Sequence, residues 1–469
     1  FTYNLQNKIM NISDKSCIEV RDKRITVIGA GLSGTSTAIL ASYLGAKVFI
    51  SDSSSSFSVA NTSSELVYQH HIAVESGIQT NKIYDADLWI ISPGVPKNSD
   101  IIVKAKEKNI PIVGEIEFAS WFTKSPIVAV TGSNGKTTTS FIINEMLNSQ
   151  DYCSVVAGNI GIPFSSEVLK EIINPNDNQI YVLECSSFQM EFIYHFKPKI
   201  AVFTNISEDH LDRHLTMSEY INMKLELIKN MNPENYIIYN MDDKILVEAF
   251  GRKVQQKFPF SIKDQNCIFK VQDGLVNRTS GNINLNLDDL KIRGEHNLYN
   301  FLAASTCSHV MGISDDQIFN VIKNFNGLEH RLEHVAISNG IEFINDSKAT
   351  NIESVIVAIK AFDRPIVLLL GGYNKKSNFR LLLPHIKSNH VRAIISYGEA
   401  GGQINTALGD AVRLVREANL KSAVNKAQIL AKPGELVLLS PGCASFDEFS
   451  NFEERGNFFK KTVYELSHK

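Results

Sequence analysis

One plan recurs three times along the chain: an apolar, β-branched run, a glycine-rich turn, then a helical pattern. It appears in RITVIGAGLSGTSTAILASYLGA (24–46), in PIVAVTGSNGKTTTSFIINEML (126–147) and, more loosely, in PIVLLLGGYNKKSNFRLLLPHI (365–386). Short buried strands alternating with amphipathic helices specify parallel α/β sheets and exclude sandwiches and helix bundles. At roughly 150 residues per domain, 469 residues accommodate about three such units. The turns punctuate this into 1–114, 115–328 and 329–469. The expected fold is therefore α/β: Rossmann-like first and last domains around a central P-loop ATPase-like parallel sheet. In the segment 251–295, VQQKFPFSI, CIFKVQDGLVNR and NINLNLDDLKI alternate apolar and polar residues between Asp-Gly and Ser-Gly turns. That alternation predicts a small antiparallel addition to the central domain. The runs LWIISPG (88–94) and LVLLSPG (436–442) both carry a strand into Ser-Pro-Gly, at strand ends where open α/β sheets bind ligands.

Lys and Arg number 47 against 50 Asp and Glu, a formal charge of −3. Such a balance disfavours a protein whose whole surface binds nucleic acid or anionic membrane. Cys17, Cys153, Cys185, Cys267, Cys307 and Cys443 are scattered without a C-x-x-C pair, which reads as reduced thiols. No apolar run approaches the roughly 18–20 residues of a membrane span. The opening segment lacks the plan of a signal peptide. The expectation is a soluble, cytoplasmic protein with neither a nucleic-acid nor a membrane partner.

In VAVTGSNGKTT (128–138) a strand precedes Gly132-Ser133-Asn134-Gly135-Lys136-Thr137-Thr138 and a helix follows. The two glycines stand closer together than in the strict P-loop, but the physical requirements are met. Backbone N–H groups can turn onto phosphate oxygens at a helix N-terminus. Lys136 can reach the β- and γ-phosphates, and Thr137 offers a hydroxyl to Mg²⁺. The plain alternative is a Gly-Lys surface turn, which explains neither the strand nor the threonine run. Upstream, Gly29-Ala30-Gly31-Leu32-Ser33-Gly34 follows a strand and opens a helix, with Asp52 ending the next strand. This is a dinucleotide fingerprint in its proper context, yet any pyrophosphate suits it, NAD(P) included. Glu184 in VLECSSFQME and His210 in FTNISEDHLDRH follow apolar strands; oxygen and imidazole donors there suit a hard cation bridging phosphates, and loop or capping roles suit them equally. Lys224 lies near the apolar face of SEYINMKLELIKN, where most lysines snorkel and a few become chemically usable amines. From the residues alone, snorkelling is the reading to prefer.

TGSNGKTTT, ECSSFQME, NISEDHLDRH, GEHNLYNFLAA, EHRLE, NDSKATN and SPGCASFDEFSNFEERG occur in the order found in the Mur ligases, and the sequence resembles that family from residue 29 to 456. The DSKATN and SPGCAS…NFEERG blocks look like its D-glutamate-adding branch. The resemblance implies an ATP-dependent, ADP-forming acid–amino-acid ligase of cytoplasmic peptidoglycan precursor synthesis, acting as a monomer. It would join D-glutamate to UDP-N-acetylmuramoyl-L-alanine through an acyl phosphate and a tetrahedral intermediate. The first domain would take the uridine nucleotide, the second ATP and Mg²⁺, the third D-glutamate. Carried over by residue, Lys136 and Thr137 serve the phosphate loop and Thr137 a first Mg²⁺. Glu184, His210 and a carbamylated Lys224 serve a second Mg²⁺. Asn297, Asn300, Arg331 and Asp346 face ATP, while Lys348, Thr350, Ser445 and the Phe452 backbone meet D-glutamate. Leu32, Ser33 and Asp52 lie at the uridine end and Asn159 near the muramoyl part. The family commonly has one lysine where GGYNKKSNF has Lys375 and Lys376, and alignment favours Lys375; Ser54 replaces an arginine of some members. The rival readings are a sibling or folylpolyglutamate-synthase-like ligase, an NAD(P)-dependent oxidoreductase, and a non-catalytic nucleotide-binding regulator.

Overall fold

The computed structural model describes residues 19–54, 66–67, 69–150, 152–159, 162–207, 216–251, 253–278, 284–292, 294–373, 378–388 and 390–467. The chain divides into two compact units, Phe1–Leu290 with Glu295–Phe325, and Lys291–Gly294 with Asn326–Lys469.

The first unit holds two parallel sheets. Strands β1 (Arg24–Ile28), β2 (Lys47–Asp52), β3 (Ala73–Ser76), β4 (Leu88–Ile91) and β5 (Ile112–Gly114) run in the order β3-β2-β1-β4-β5. Strands β6 (Ile127–Thr131), β7 (Cys153–Gly158), β8 (Gln179–Glu184), β9 (Ile200–Phe203), β10 (Tyr236–Asn240) and β11 (Gln256–Phe260) run β11-β10-β9-β6-β8-β7. Inner strands such as LWII and IVAVT are buried at every position, because helices cover both faces of a parallel sheet. The two sheets share one compact unit for a visible reason. Helix Leu32–Tyr43 packs on helix Phe164–Ile173, and Thr37 and Ser165 hydroxyls meet at 3.0 Å. Buried Glu115 accepts from the Ser165 backbone N–H at 2.6 Å and its hydroxyl at 2.8 Å.

The antiparallel addition is smaller than its sequence suggested. It comprises β12 (Phe269–Gln272), β13 (Leu275–Arg278) and β14 (Asn284–Asn286). The segment QKFPF is not part of it: β11 pairs parallel with β10 as an edge strand of the main sheet. Alternating burial marks any half-covered strand, and pairing direction depends on a partner distant in sequence.

The second unit is built on β15 (Glu333–Ser338), β16 (Ile341–Asn345), β17 (Ile366–Gly371), β18 (Val391–Tyr397), β19 (Arg413–Arg416) and β20 (Leu436–Leu439), ordered β15-β16-β20-β17-β18-β19. Only the hairpin partner β15 is antiparallel among them. Both Ser-Pro-Gly turns leave inner strands, β4 between β1 and β5, and β20 between β16 and β17.

Candidate active site

The phosphate loop bridges β6 and helix Lys136–Asn148. Gly132 has φ +149°, and a Cβ there would collide with the Thr204 hydroxyl; Gly135 has φ +83°, and a Cβ would strike the Asn300 amide. Glycine is thus required twice, by backbone conformation and by close neighbours. The end of β9 props the loop from beside it. Thr204 Oγ1 donates to Asn134 O at 2.6 Å, and Asn205 Oδ1 accepts from the Asn134 N–H at 2.9 Å. Ser133 Oγ donates to Ser207 O at 2.9 Å and lies 3.0 Å from the Tyr220 hydroxyl. No side chain caps the N-terminus of the following helix, so its first N–H groups remain available to an anion. Lys136 Nζ folds over the loop, 2.8 Å from both Gly132 O and Ser133 O.

Lys224 does not snorkel. It is 2% exposed, donates to Gly132 O at 2.8 Å, and lies 4.5 Å from the centroid of the Tyr220 ring. Glu184 ends β8 beside β6, in register with Val130, and is also buried. Asn159, exposed at the end of β7, donates to Glu184 Oε1 at 3.1 Å; Glu184 Oε2 is buried without a hydrogen-bond partner. An orphaned, buried carboxylate oxygen beside a phosphate loop fits a hard cation, as does the buried hydroxyl-bearing Thr137. His210 lies outside the described residues. Among the described residues no three His, Cys, Asp or Glu side chains gather as a metal group. Asn300 Oδ1 accepts from the Thr139 hydroxyl at 3.3 Å, and Asn297 from the Asn300 amide at 3.4 Å, which places both beside the phosphate-loop helix. Burial pushes the neighbouring Cys185 thiol up, so it is no thiolate nucleophile.

A cavity of about 740 Å³ opens over the first sheet, lined by Gly31, Leu32, Ser33, Asp52, Gln79 and the Ser92–Pro96 turn, among others. This volume is in the range of small-molecule sites. Leu32 is 75% exposed at its mouth, and the helix beginning there has no side-chain cap. Asp52 braces the turn, accepting from the Ala30 N–H at 2.6 Å and the Ser54 N–H at 2.7 Å.

In the second unit, Asp346 is buried beyond β16 and accepts from the Ser440 hydroxyl at 2.8 Å and the Leu332 N–H at 3.3 Å. Burial pushes its carboxyl up to about 7, against the pull of Ser440 and the Arg331 guanidinium. Lys348 is half-buried, its ammonium 5.9 Å from the Phe452 ring centroid; Thr350 is exposed and Ser445 buried. Burial pushes the adjacent Cys443 thiol up to about 12, which keeps it protonated. Lys375 and Lys376 lie outside the described residues.

The structure therefore gathers Gly132–Thr138, Glu184, Lys224, Asn159, Asn297 and Asn300 around one loop, and Leu32, Ser33 and Asp52 around one cavity. The residue-level reading missed Thr204, Asn205 and Tyr220, which shape that loop, and Gln79 on the cavity wall. It also passed over His330. This imidazole is buried, kept below its ordinary value by that burial, and its Nδ1 lies 2.9 Å from the Asn345 amide. Its carbonyl accepts from the Lys348 N–H at 3.0 Å. The signal available was position alone: Asn205 precedes the acid-His block, and His330 precedes Arg331.

Comparison with known proteins identifies the family. Residues 23–114 match the family model described as "Mur ligase MurD-like, N-terminal domain", 130–308 the "Mur ligase middle domain", and 330–443 the "Mur ligase, glutamate ligase domain". The chain belongs to the Mur ligase family, whose members are ATP- and Mg²⁺-dependent amide ligases. Among its relatives, a protein of Thermoanaerobacter pseudethanolicus named UDP-N-acetylmuramoylalanine–D-glutamate ligase is 38% identical over 462 residues, covering 96% of this chain and all of its own. One of the same name from Caldanaerobacter subterraneus is 39% identical over 460 residues, covering 96% and 100%. The solved UDP-N-acetylmuramate-alanine ligase of Thermotoga maritima shares the fold, with a TM-score of 0.59 at 16% identity over 95% of this chain and 100% of that one. No helix among the described residues is long and apolar enough to cross a membrane.

Proposed function

We propose that this chain joins D-glutamate to UDP-N-acetylmuramoyl-L-alanine, consuming ATP, in cytoplasmic peptidoglycan precursor synthesis. The observation that carries the reading is the end-to-end match, 38% identity over 96% of the chain, to a relative named for that reaction. In this reading residues 1–114 take the uridine nucleotide through Leu32, Ser33 and Asp52, residues 115–328 take ATP, and residues 329–469 take D-glutamate. The enzyme acts as a monomer.

A carboxylate is a poor acyl donor because its leaving group would be oxide, so it is phosphorylated first. The L-alanyl carboxylate attacks the γ-phosphorus of ATP, giving acyl phosphate and ADP. The D-glutamate amine then attacks the acyl carbon, and phosphate leaves the tetrahedral intermediate. Both steps concentrate negative charge, so the residues of this chain act mainly by electrostatic positioning. The N–H groups of Gly135–Thr138 and the Lys136 ammonium cradle the phosphates; to do so Lys136 swings from the Gly132 and Ser133 carbonyls. Thr137 and Glu184, with His210 and carbamylated Lys224, would hold two magnesium ions, which supply positive charge to the phosphoryl oxygens. Asn159 orients Glu184 and faces the muramoyl part. Asn297, Asn300, Arg331 and Asp346 hold the nucleotide, and Lys348, Thr350, Lys375, Ser445 and the Phe452 backbone hold D-glutamate.

Phosphate release by the purified protein tests this. It should require both UDP-N-acetylmuramoyl-L-alanine and D-glutamate, and no other amino acid in a panel should replace D-glutamate. Turnover indifferent to D-glutamate, or preferring another amino acid, would refute the assignment.

A further inference from the structure

Arg455 lies in helix Phe452–Ser467, directly after two exposed glutamates, yet it is 1% exposed. Among the described residues no carboxylate comes within ion-pair distance of it. The guanidinium instead spends its donors on three backbone carbonyls and one hydroxyl. Nη2 donates to Ser347 O at 2.8 Å and Nε to Ser347 Oγ at 3.0 Å. Nη1 donates to Cys443 O at 3.0 Å and Ala444 O at 3.1 Å. The Ser347 hydroxyl passes the link on, donating to Phe452 O at 2.8 Å. One buried cation thus ties together three segments separate in sequence: the turn before Lys348, the turn before Ser445, and the start of its own helix.

The choice of acceptors has a directional consequence. In a trans peptide the C=O and N–H point opposite ways. Drawing Ala444 O inward onto Arg455 turns the Ser445 N–H outward, away from the guanidinium. That N–H and the Ser445 hydroxyl have no hydrogen-bond partner among the described residues, although Ser445 is only 2% exposed. Donors left without a protein partner on a residue that still reaches the surface are open to a ligand that supplies the acceptor. The guanidinium also keeps three carbonyl oxygens off a surface meant for a carboxylate, and polarises those peptides so that their N–H ends gain positive character.

We propose that Arg455 is a positioning residue for the amino-acid substrate: it fixes the Ser347 and Ala444 peptides so that Lys348 and Ser445 present their donors to a glutamate carboxylate. This rests on the reading that residues 329–469 take D-glutamate. Lysine offers three donors from one point and cannot span Ser347 and Cys443–Ala444 at once, so Arg455→Lys keeps the charge and loses the bracing.

The test is steady-state phosphate release with each substrate varied in turn. Arg455→Lys should raise KM for D-glutamate at least tenfold, with KM for ATP and for the uridine substrate within twofold of wild type. Arg455→Ala should lose more, and millimolar guanidinium should restore part of the activity. Ser347→Ala, which removes one acceptor and keeps the three carbonyls, should raise KM for D-glutamate two- to fourfold and guards against a misfolded Arg455→Ala. An unchanged KM for D-glutamate in Arg455→Lys, or a parallel rise in all three KM values, overturns the proposal. A wild-type enzyme that turns over without D-glutamate overturns the parent reading instead, so the two failures are separable.

Discussion

Replacing Asp346 by asparagine should make the protein more stable in alkali and less active. The carboxyl is fully buried, and its value in the fold is about 7 against an ordinary 3.8. Between those values the folded chain holds a proton that the unfolded chain has released. Unfolding then releases a proton, and stability falls as pH rises. At 1.36 kcal/mol per pH unit, the cost of this group grows from roughly 2 kcal/mol at pH 5.5 to roughly 4 kcal/mol at pH 8.5, where it levels off. Asparagine carries no such cost. Against it stands one weakened hydrogen bond of the pair from Ser440 and Leu332, about 1–2 kcal/mol and independent of pH. The difference between variant and wild type should therefore widen by about 2 kcal/mol between pH 5.5 and 8.5, roughly 4–8 °C in the unfolding midpoint. Calorimetric scans of the two proteins across that range measure it, and subtracting one from the other cancels every group they share. Parallel midpoint curves would refute the reasoning, since they would mean that the carboxyl ionises in the fold as easily as outside it. Phosphate release should fall in the same variant if Asp346 serves the nucleotide.

Other outcomes are expected around the phosphate loop. Lys224→Met keeps the packing and removes the amine, so phosphate release should drop at least a hundredfold while the melting midpoint stays within a few degrees; equal losses of both would make Lys224 merely structural. Gly132→Ala forces a Cβ into Thr204 at a backbone angle that L residues avoid, and should cost about 2–4 kcal/mol in urea unfolding together with a large loss of ATP binding by calorimetry. Glu115→Gln removes a buried carboxyl whose pKa burial raises; it should leave kcat within twofold, and in thermal scans its stability relative to wild type should rise as the pH climbs above the ordinary carboxylate range. Removal of Mg²⁺ with EDTA should abolish phosphate release, and Mg²⁺, not Ca²⁺, should restore it, because the octahedral demand of the smaller ion matches phosphate-bridging sites.

What could be read from the sequence divides along locality. The phosphate loop was legible because strand, glycines, lysine and helix start are contiguous, and every physical demand falls within eleven residues. Asp52 was legible for the same reason, as the next strand's end. Lys224 was legible only through the family resemblance: its helical surroundings describe any snorkelling lysine, and its carbonyl acceptor is 92 residues away, reached only because β9 delivers the chain back beside β6. Direction was lost with β11, whose alternating residues do not reveal a parallel partner. Arg455 was the least visible of all. In NFEERG it stands beside two glutamates at a helix start, where an arginine is expected to face water, and nothing local says that it turns inward to three carbonyls.

Those three carbonyls also resolve a tension set by composition. At −3 the chain has no overall field to draw in anionic substrates, so positive charge must be supplied locally. Lys136 and Lys348 can do this directly, although Lys136 must first leave the Gly132 and Ser133 carbonyls. Arg455 does it at second hand: a guanidinium already buried and held by four hydrogen bonds orders the surrounding peptides before any ligand arrives, so little rotamer entropy remains to be lost there. A site that must accept a small, flexible dicarboxylate gains most from such a rigid wall, because few contacts are available to offset the ordering of the ligand itself.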